Sequence, residues 1–411
     1  MINGAKTLPK QFISRRWLAA GICLATVAAA SAGQAADGKL TIGVVLPLSG
    51  AFANEGEQYQ NGIKVYQALH GSKAGNLAVD VVTRDDQGPG SGDLSRRLTQ
   101  ELIVRDKADV ILGYSFTPNA MSSATLLTEA KKPAVIINAA TSVITERSPY
   151  FVRVSFTLPQ IAATLGTWAA KNDIKTVFTI VSDYAPGIDA ETWFKKAFTD
   201  GGGNVVGSVR TGIADMEYAP YLQRATEAKP DAIFVFNPGG DVAVAFMKEA
   251  EKRGVQKSGI KLIVTGDVVE DQSLPLIGEA VEGVISVQHY QLGLGNPENV
   301  AFVKKYKEIF GPQAIPNFRA VQGYDGMALI HQAVEKTGGK LDADSLMAAF
   351  KGLTIQSPRG HVTIDPETRD VVQDLYIRRG AKQDGEWQNV AFETVKDVKD
   401  PAKDVKNSAK K

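Results

Sequence analysis

One cysteine, four histidines and a formal net charge of +1 in 411 residues mark what this sequence has little of. The cysteine, Cys23, lies in an apolar run near the start, so no disulfide framework and no thiol chemistry belong to the rest of the chain. His70, His289, His331 and His361 are scattered without metal-ligand spacing, and no metal site is expected. The absence of a basic patch argues against binding nucleic acid or an anionic membrane surface. A G-x-S-x-G motif is missing, as is any nucleophile with a base set beside it, so the sequence does not describe an enzyme. The glycine-rich stretch at 88–92 lacks both the Lys-Ser/Thr ending of a P-loop and the spacing of a dinucleotide fingerprint. It reads as a loop feeding a helix over 93–106, and no cofactor is expected.

What is present begins with an export leader. Residues 1–36 carry Lys6, Lys10, Arg15 and Arg16 and no acid, then the apolar run WLAAGICLATVAAA, then small residues suited to cleavage near residue 35. SRRWL is similar to a twin-arginine signal, and an ordinary secretory leader with two arginines accounts for it equally. The apolar run is too short for a favoured transmembrane anchor, and Ile22 before Cys23 argues against lipidation. Losing four cations takes the formal charge to −3 and leaves about 375 residues, the length of two domains.

The stretch from Asp109 to Glu146 organises the mature chain. It reads as strand, polar loop, helix from about Asn119 to Ala130, strand, polar loop. In an open parallel sheet, ligands sit beyond the carboxyl ends of the strands. Here those ends deliver Tyr114, Ser115 and Thr117, then Asn138, Ala139, Ala140 and Thr141. Loop N–H groups and helix N-termini carry partial positive charge, so such an edge suits a carboxylate.

The same alternation runs through most of the chain. A strand at 40–50 precedes an amphipathic helix at 56–69, and the next strand ends in Arg84, Asp85 and Asp86, which read as a structural hydrogen-bonding cluster rather than a metal site. FVRVSFTLPQ, from Phe151, looks like an extended connection into a second alternation with strands at 176–183, 204–211, 231–237 and 261–267. The stretch 282–290 crosses back to helices near 297–310 and 323–336, and a hairpin turns at 365–369. The expected fold class is α/β, two doubly wound parallel-sheet lobes joined by a three-crossing hinge. Lobe 1 takes 37–156 plus 290–356 and lobe 2 takes 157–289 plus 357–392. Residues 393–411, charged and without apolar periodicity, read as a solvated flexible tail.

Several marks together carry a family resemblance: LTIGVVLPLSG at 40–50, the Asp85-Asp86 pair, NAAT at 138–141, FVRVSFT at 151–157 and GYDGMALI at 323–330. In that order and spacing, the chain resembles the periplasmic leucine/isoleucine/valine-type (branched-chain amino acid) substrate-binding proteins of ABC transporters, of the type I periplasmic binding protein family. The resemblance implies a monomeric periplasmic receptor that closes on a small ligand and presents it to an inner-membrane ABC permease. It implies that Ala139, Thr141 and either Thr117 or Ser115 hold an amino acid's carboxylate, and that Asp267 holds the ammonium. A free-standing ligand sensor for a signalling partner would share the fold.

Some residues depart from the family. Glu55, Pro186-Gly187 and the Pro238-Gly239-Gly240 run stand where leucine-type receptors carry tyrosines or Tyr-Gly, which leaves room for a larger ligand. Relatives of the family also bind short amides and aromatic acids. Phe116 fits an aromatic wall for such a ligand and equally a packed loop residue. Tyr184 is a cleft wall or an exposed loop residue, and Asp267 also suits the cap of a following segment.

Overall fold

The computed structural model describes residues 38–408, and the leader read over 1–36 lies outside them. Apolar runs form strands covered by helices. β1 (Lys39–Leu46) is buried at every position but its first. With β2 (Lys73–Ala74), β3 (Leu77–Asp85), β4 (Val110–Gly113), β5 (Ala134–Ile136) and β6 (Phe151–Arg153) it makes a six-stranded sheet of order β2-β3-β1-β4-β5-β6, parallel except for β2. The helices between these strands are α1 (Ala53–His70), α2 (Gly92–Val104) and α3 (Thr117–Glu129). The first three residues of the expected extended connection are thus an edge strand, because Phe151, Val152 and Arg153 are buried beside β5.

A Thr157–Gln160 capping box then starts α4 (Leu158–Lys171). The second sheet takes β7 (Thr176–Ser182), β8 (Asn204–Thr211), β9 (Ala232–Phe236), β10 (Lys261–Thr265) and β11 (Ile285–Gln288), all parallel in the order β8-β7-β9-β10-β11. Between them lie α5 (Ala185–Asp200), α6 (Ala219–Glu227), α7 (Gly240–Lys252) and the short α8 (Leu274–Ile277). After β11 the chain returns to the first sheet, where α9 (Pro297–Phe310) and α10 (Phe318–Lys336) pack on α1 and α10 also reaches β4 and β5, and α11 (Ala343–Phe350) packs on α10.

The chain then comes back to the second sheet through β12 (Thr354–Ser357), β13 (Gly360–Ile364), β14 (Val371–Gln383) and β15 (Glu386–Val398), antiparallel additions beside β11. This second sheet is therefore mixed, and the chain passes between the sheets three times: after β6, after β11 and before β12. Arg359 stitches one passage to another, its Nε donating to Asp325 of α10 at 2.7 Å and its Nη groups to the carbonyls of Val154 and Ser155.

The reading of 393–411 as a solvated tail is corrected. Residues 393–398 complete β15 and 401–408 form α12 (Pro401–Ser408), while 409–411 lie outside the described residues. Asp400 is buried, accepting from the Ser142 hydroxyl at 2.6 Å, and the buried Lys403 ammonium pairs with Glu146 at 2.7 Å. Alternating charge looked solvated because the partners of Asp400 and Lys403, Ser142 and Glu146, lie more than 250 residues earlier in the chain.

Candidate functional site

The carboxyl edge of the first sheet is shaped by a sharp turn. Gly113 (φ 142°) ends β4, and a Cβ there would lie 2.2 Å from the Val45 carbonyl oxygen. Tyr114 follows with φ 63° and sends its hydroxyl to Thr99 at 2.7 Å, away from the cleft. The turn leaves Ser115, Phe116 and Thr117 on the cleft side, where α3 begins. Beyond β5, the Arg153 guanidinium takes the carbonyls of Ala139 at 3.0 Å, Thr141 at 2.8 Å and Ser142 at 3.2 Å, its charge balanced by Asp370 at 2.6 Å. Carbonyl acceptors are thereby drawn off the edge, while the Ala140 N–H has no protein acceptor. The edge presents mainly donors, as an anion requires, beside one unpartnered acceptor, Asn138 Oδ1.

Eight residues were singled out from the sequence, and six line one cavity: Ser115, Phe116, Thr117, Ala140, Tyr184 and Asp267. Ala139 does not: its N–H is bonded to the Tyr114 carbonyl at 3.0 Å and its side chain packs among the core residues of the first sheet. Thr141 sits behind the lining, its N–H 3.5 Å from Thr117 Oγ1. Its own hydroxyl is buried without a partner.

The second sheet supplies the facing wall. Tyr184 precedes α5, Phe236 and Pro238 close β9, and Asp267 follows β10. Tyr184 stacks on Phe236 with ring centres 6.0 Å apart, and Phe156 and Leu158 of the first passage close one side. The cavity is narrow, with about 10 Å³ open to a water-sized group. Phe116 lines the cavity and packs edge-on against Phe52 at 4.9 Å.

Behind this wall lies a buried charge cluster that joins the two sheets. Arg319, from α10, donates through Nη2 to Glu270 at 2.7 Å and to the Pro238 carbonyl at 2.9 Å. Glu55 of α1 lies 3.4 Å and Asp267 3.7 Å from the same nitrogen. All four side chains are buried, and both Glu55 oxygens and Asp267 Oδ2 have no hydrogen-bond partner. Three carboxylates share one guanidinium. Burial raises the Glu55, Asp267 and Glu270 carboxyls above their ordinary values, with Arg319 opposing the rise. Burial also works against the charge on Arg319, but the facing carboxylates outweigh it and hold the guanidinium protonated. The Tyr184 phenol is pushed well up, first by burial and then by the charge of Asp267.

Through Nη1, Arg319 donates to the Tyr59 hydroxyl at 2.9 Å, which lies 3.1 Å from Ser115 Oγ. Neither Arg319 nor Tyr59 was found from the sequence. Tyr59 reads as one more apolar position of an amphipathic helix, and Arg319 as one charge in a helix, because their partners come from distant segments. Glu55 carried the available signal, an acid in place of a tyrosine.

A model of the periplasmic binding protein family matches residues 39–386. A curated relative from Brucella melitensis, called Leu/Ile/Val-binding protein homolog 6, is 40% identical over 361 residues, covering 88% of this chain and 92% of its own. A solute-binding protein of an ABC transporter from Rhodopseudomonas palustris BisB5, solved in complex with 3,4-dihydroxybenzoic acid, is 47% identical with a TM-score of 0.85, and the match covers 89% of this chain and 99% of that one. A solute-binding protein from R. palustris, solved with 4-hydroxybenzoate, is 42% identical with the same TM-score and coverage.

Proposed function

Because the chain belongs to the periplasmic binding protein family, we propose that it is the periplasmic receptor of an ABC importer and captures an aromatic carboxylic acid bearing a ring hydroxyl. It is a binding protein, not an enzyme. The observation that carries the ligand reading is the cavity wall: Phe116, Phe156, Tyr184, Phe236, Pro186 and Pro238 are flat or rigid, with polar groups at the edge of one sheet and at Asp267 of the other. A ring between such faces gains about 1.5–3 kcal/mol from burial. Its carboxylate meets the Ser115 and Thr117 hydroxyls and the Ala140 N–H at the start of α3, where the helix dipole favours negative charge. Its hydroxyl donates to Asp267 Oδ2, which lacks a partner. The aromatic acids bound by the two Rhodopseudomonas proteins support this ligand class.

A branched-chain or other apolar amino acid is the second reading. Three carboxylates against one guanidinium leave an excess of negative charge that an ammonium would relieve, and the Brucella relative's name points the same way. A thermal-shift panel on protein unfolded and refolded to strip retained ligand separates the two. 4-Hydroxybenzoate and 3,4-dihydroxybenzoate should raise the melting temperature more than benzoate does, with leucine silent. A rise with leucine, isoleucine or valine alone would discard the aromatic reading.

A further inference from the structure

We propose that Arg319, acting through Tyr59, fixes the Ser115 hydroxyl as a donor into the cleft and so makes the site select carboxylates over carboxamides. The inference deepens the reading of the first sheet's edge as the carboxylate seat and rests on it.

A guanidinium only donates. The Tyr59 hydroxyl therefore accepts from Arg319 Nη1 at 2.9 Å, and its own proton has one acceptor among its contacts, Ser115 Oγ at 3.1 Å. Burial, the largest influence, pushes the Tyr59 phenol further up, so that proton stays on the hydroxyl. Ser115 Oγ, once it accepts, must send its own proton elsewhere. It has no other protein partner and it lines the cavity, so the proton points at the ligand. Arg319 cannot turn away from this duty, because Nη2 and Nε are held by Glu270 at 2.7 and 3.2 Å and Nη2 also by the Pro238 carbonyl. Asn317 holds the other oxygen of Glu270 at 3.0 Å.

Thr117 Oγ1 already accepts from the Thr141 N–H, at 3.5 Å, so its proton too is available to a ligand. With the Ala140 N–H, the edge offers three donors against one unpartnered acceptor, Asn138 Oδ1. A carboxylate matches these donors with both oxygens, whereas a carboxamide whose NH2 faces Ser115 meets a donor there. Were Ser115 free to rotate, it would accept from that NH2 and the discrimination would fade. Arg319 is in this sense a positioning residue, since it reaches the ligand only through Tyr59 and Ser115.

The test measures dissociation constants for 4-hydroxybenzoate against 4-hydroxybenzamide and for leucine against leucinamide, at one pH and salt concentration. The acid-over-amide preference is the readout, because general loosening of the fold weakens both members of a pair alike. Tyr59→Phe should lower the preference by about tenfold, the size of one favourable charge-assisted hydrogen bond. Ser115→Ala should lower it similarly, and the double variant should lose no more than Ser115→Ala alone. If Tyr59→Phe does not fold, site-specific 3-fluorotyrosine at position 59, a stronger donor of nearly the same shape, should raise the preference. An unchanged preference in Tyr59→Phe or with fluorotyrosine, or independent losses in the double variant, overturns the relay. So does a wild type that binds neither acid more tightly than its amide. If only the leucine pair binds, the aromatic reading fails while the relay is still decided on that pair.

Discussion

Asp267 is the residue at which the two ligand classes part. Its Oδ2 is buried without a partner while Oδ1 lies 3.7 Å from Arg319. An asparagine there keeps an acceptor and removes the charge. Asp267→Asn should therefore weaken a phenolic acid by only a few-fold, whereas it should weaken an amino acid by about a hundredfold, since an ammonium would lose its counter-ion. Calorimetric titration of both ligands reads the difference, and equal loss for the two would remove Asp267 from ligand recognition. Arg319 carries a different expectation. Replacing it with methionine leaves Glu55, Asp267 and Glu270 buried without a cation, at a cost of about 3–5 kcal/mol. Urea unfolding checks this, and a cost under about 1 kcal/mol would mean that the carboxyls are already neutral. Residues that a strand end delivers, such as Ser115, Thr117, Ala140 and Asp267, lie on the cavity, and a strand end is legible in sequence. Ala139 lies off the cavity, and its backbone N–H, bonded backwards to Tyr114, leaves no mark in the sequence.

Two helices hold the site's parts together. α1 carries Glu55 and Tyr59, α10 carries Arg319, and they cross at glycines: a Cβ on Gly62 would lie 1.8 Å from the Ala320 carbonyl oxygen, and one on Gly323 would lie 2.2 Å from that of Tyr59. Backbone cannot yield as a side chain does. Gly62→Ala should cost about 1–3 kcal/mol in chemical unfolding, and because it displaces Tyr59 from Arg319 it should weaken ligand binding as well. Unaltered stability and binding would show that the crossing has slack.

At the other end, α12 brings a titration. Burial, helped by the charge of Asp370, raises the Asp400 carboxyl to about 6. The folded chain therefore holds this proton more tightly than the unfolded chain does, so the associated stability is complete below the ordinary aspartate value and is lost as pH rises through about 6. Asp400→Asn should remove that loss, so its melting temperature relative to wild type should improve between pH 4.5 and pH 7.5. A constant difference across that range would contradict the assignment. Helix α12 was missed because its stabilising partners, Ser142, Glu146 and Asp370, are far away in sequence. The α1 and α3 helices, whose patterns are local, were read to within three residues of their ends.

For the whole molecule, strand alternation was enough to read two α/β lobes, because buried parallel strands and their covering helices repeat a local pattern. The antiparallel extension β12 to β15 was half legible: the hairpin turn at 365–369 was read, whereas the pairing of β14 with both β11 and β15 depends on contacts across the chain. The three passages between the sheets place the charge cluster and the cavity where the sheets face each other. The cleft thus joins groups that no local window of sequence contains together. The proposed ligand is an aromatic ring held by its carboxylate on one sheet and its hydroxyl on the other. The most direct test is isothermal titration of the refolded protein with 4-hydroxybenzoate and, separately, with leucine. The account predicts a dissociation constant of about 1 µM or tighter for 4-hydroxybenzoate, roughly −8 kcal/mol, and no measurable heat with leucine. Tight binding of leucine with none of 4-hydroxybenzoate would contradict it.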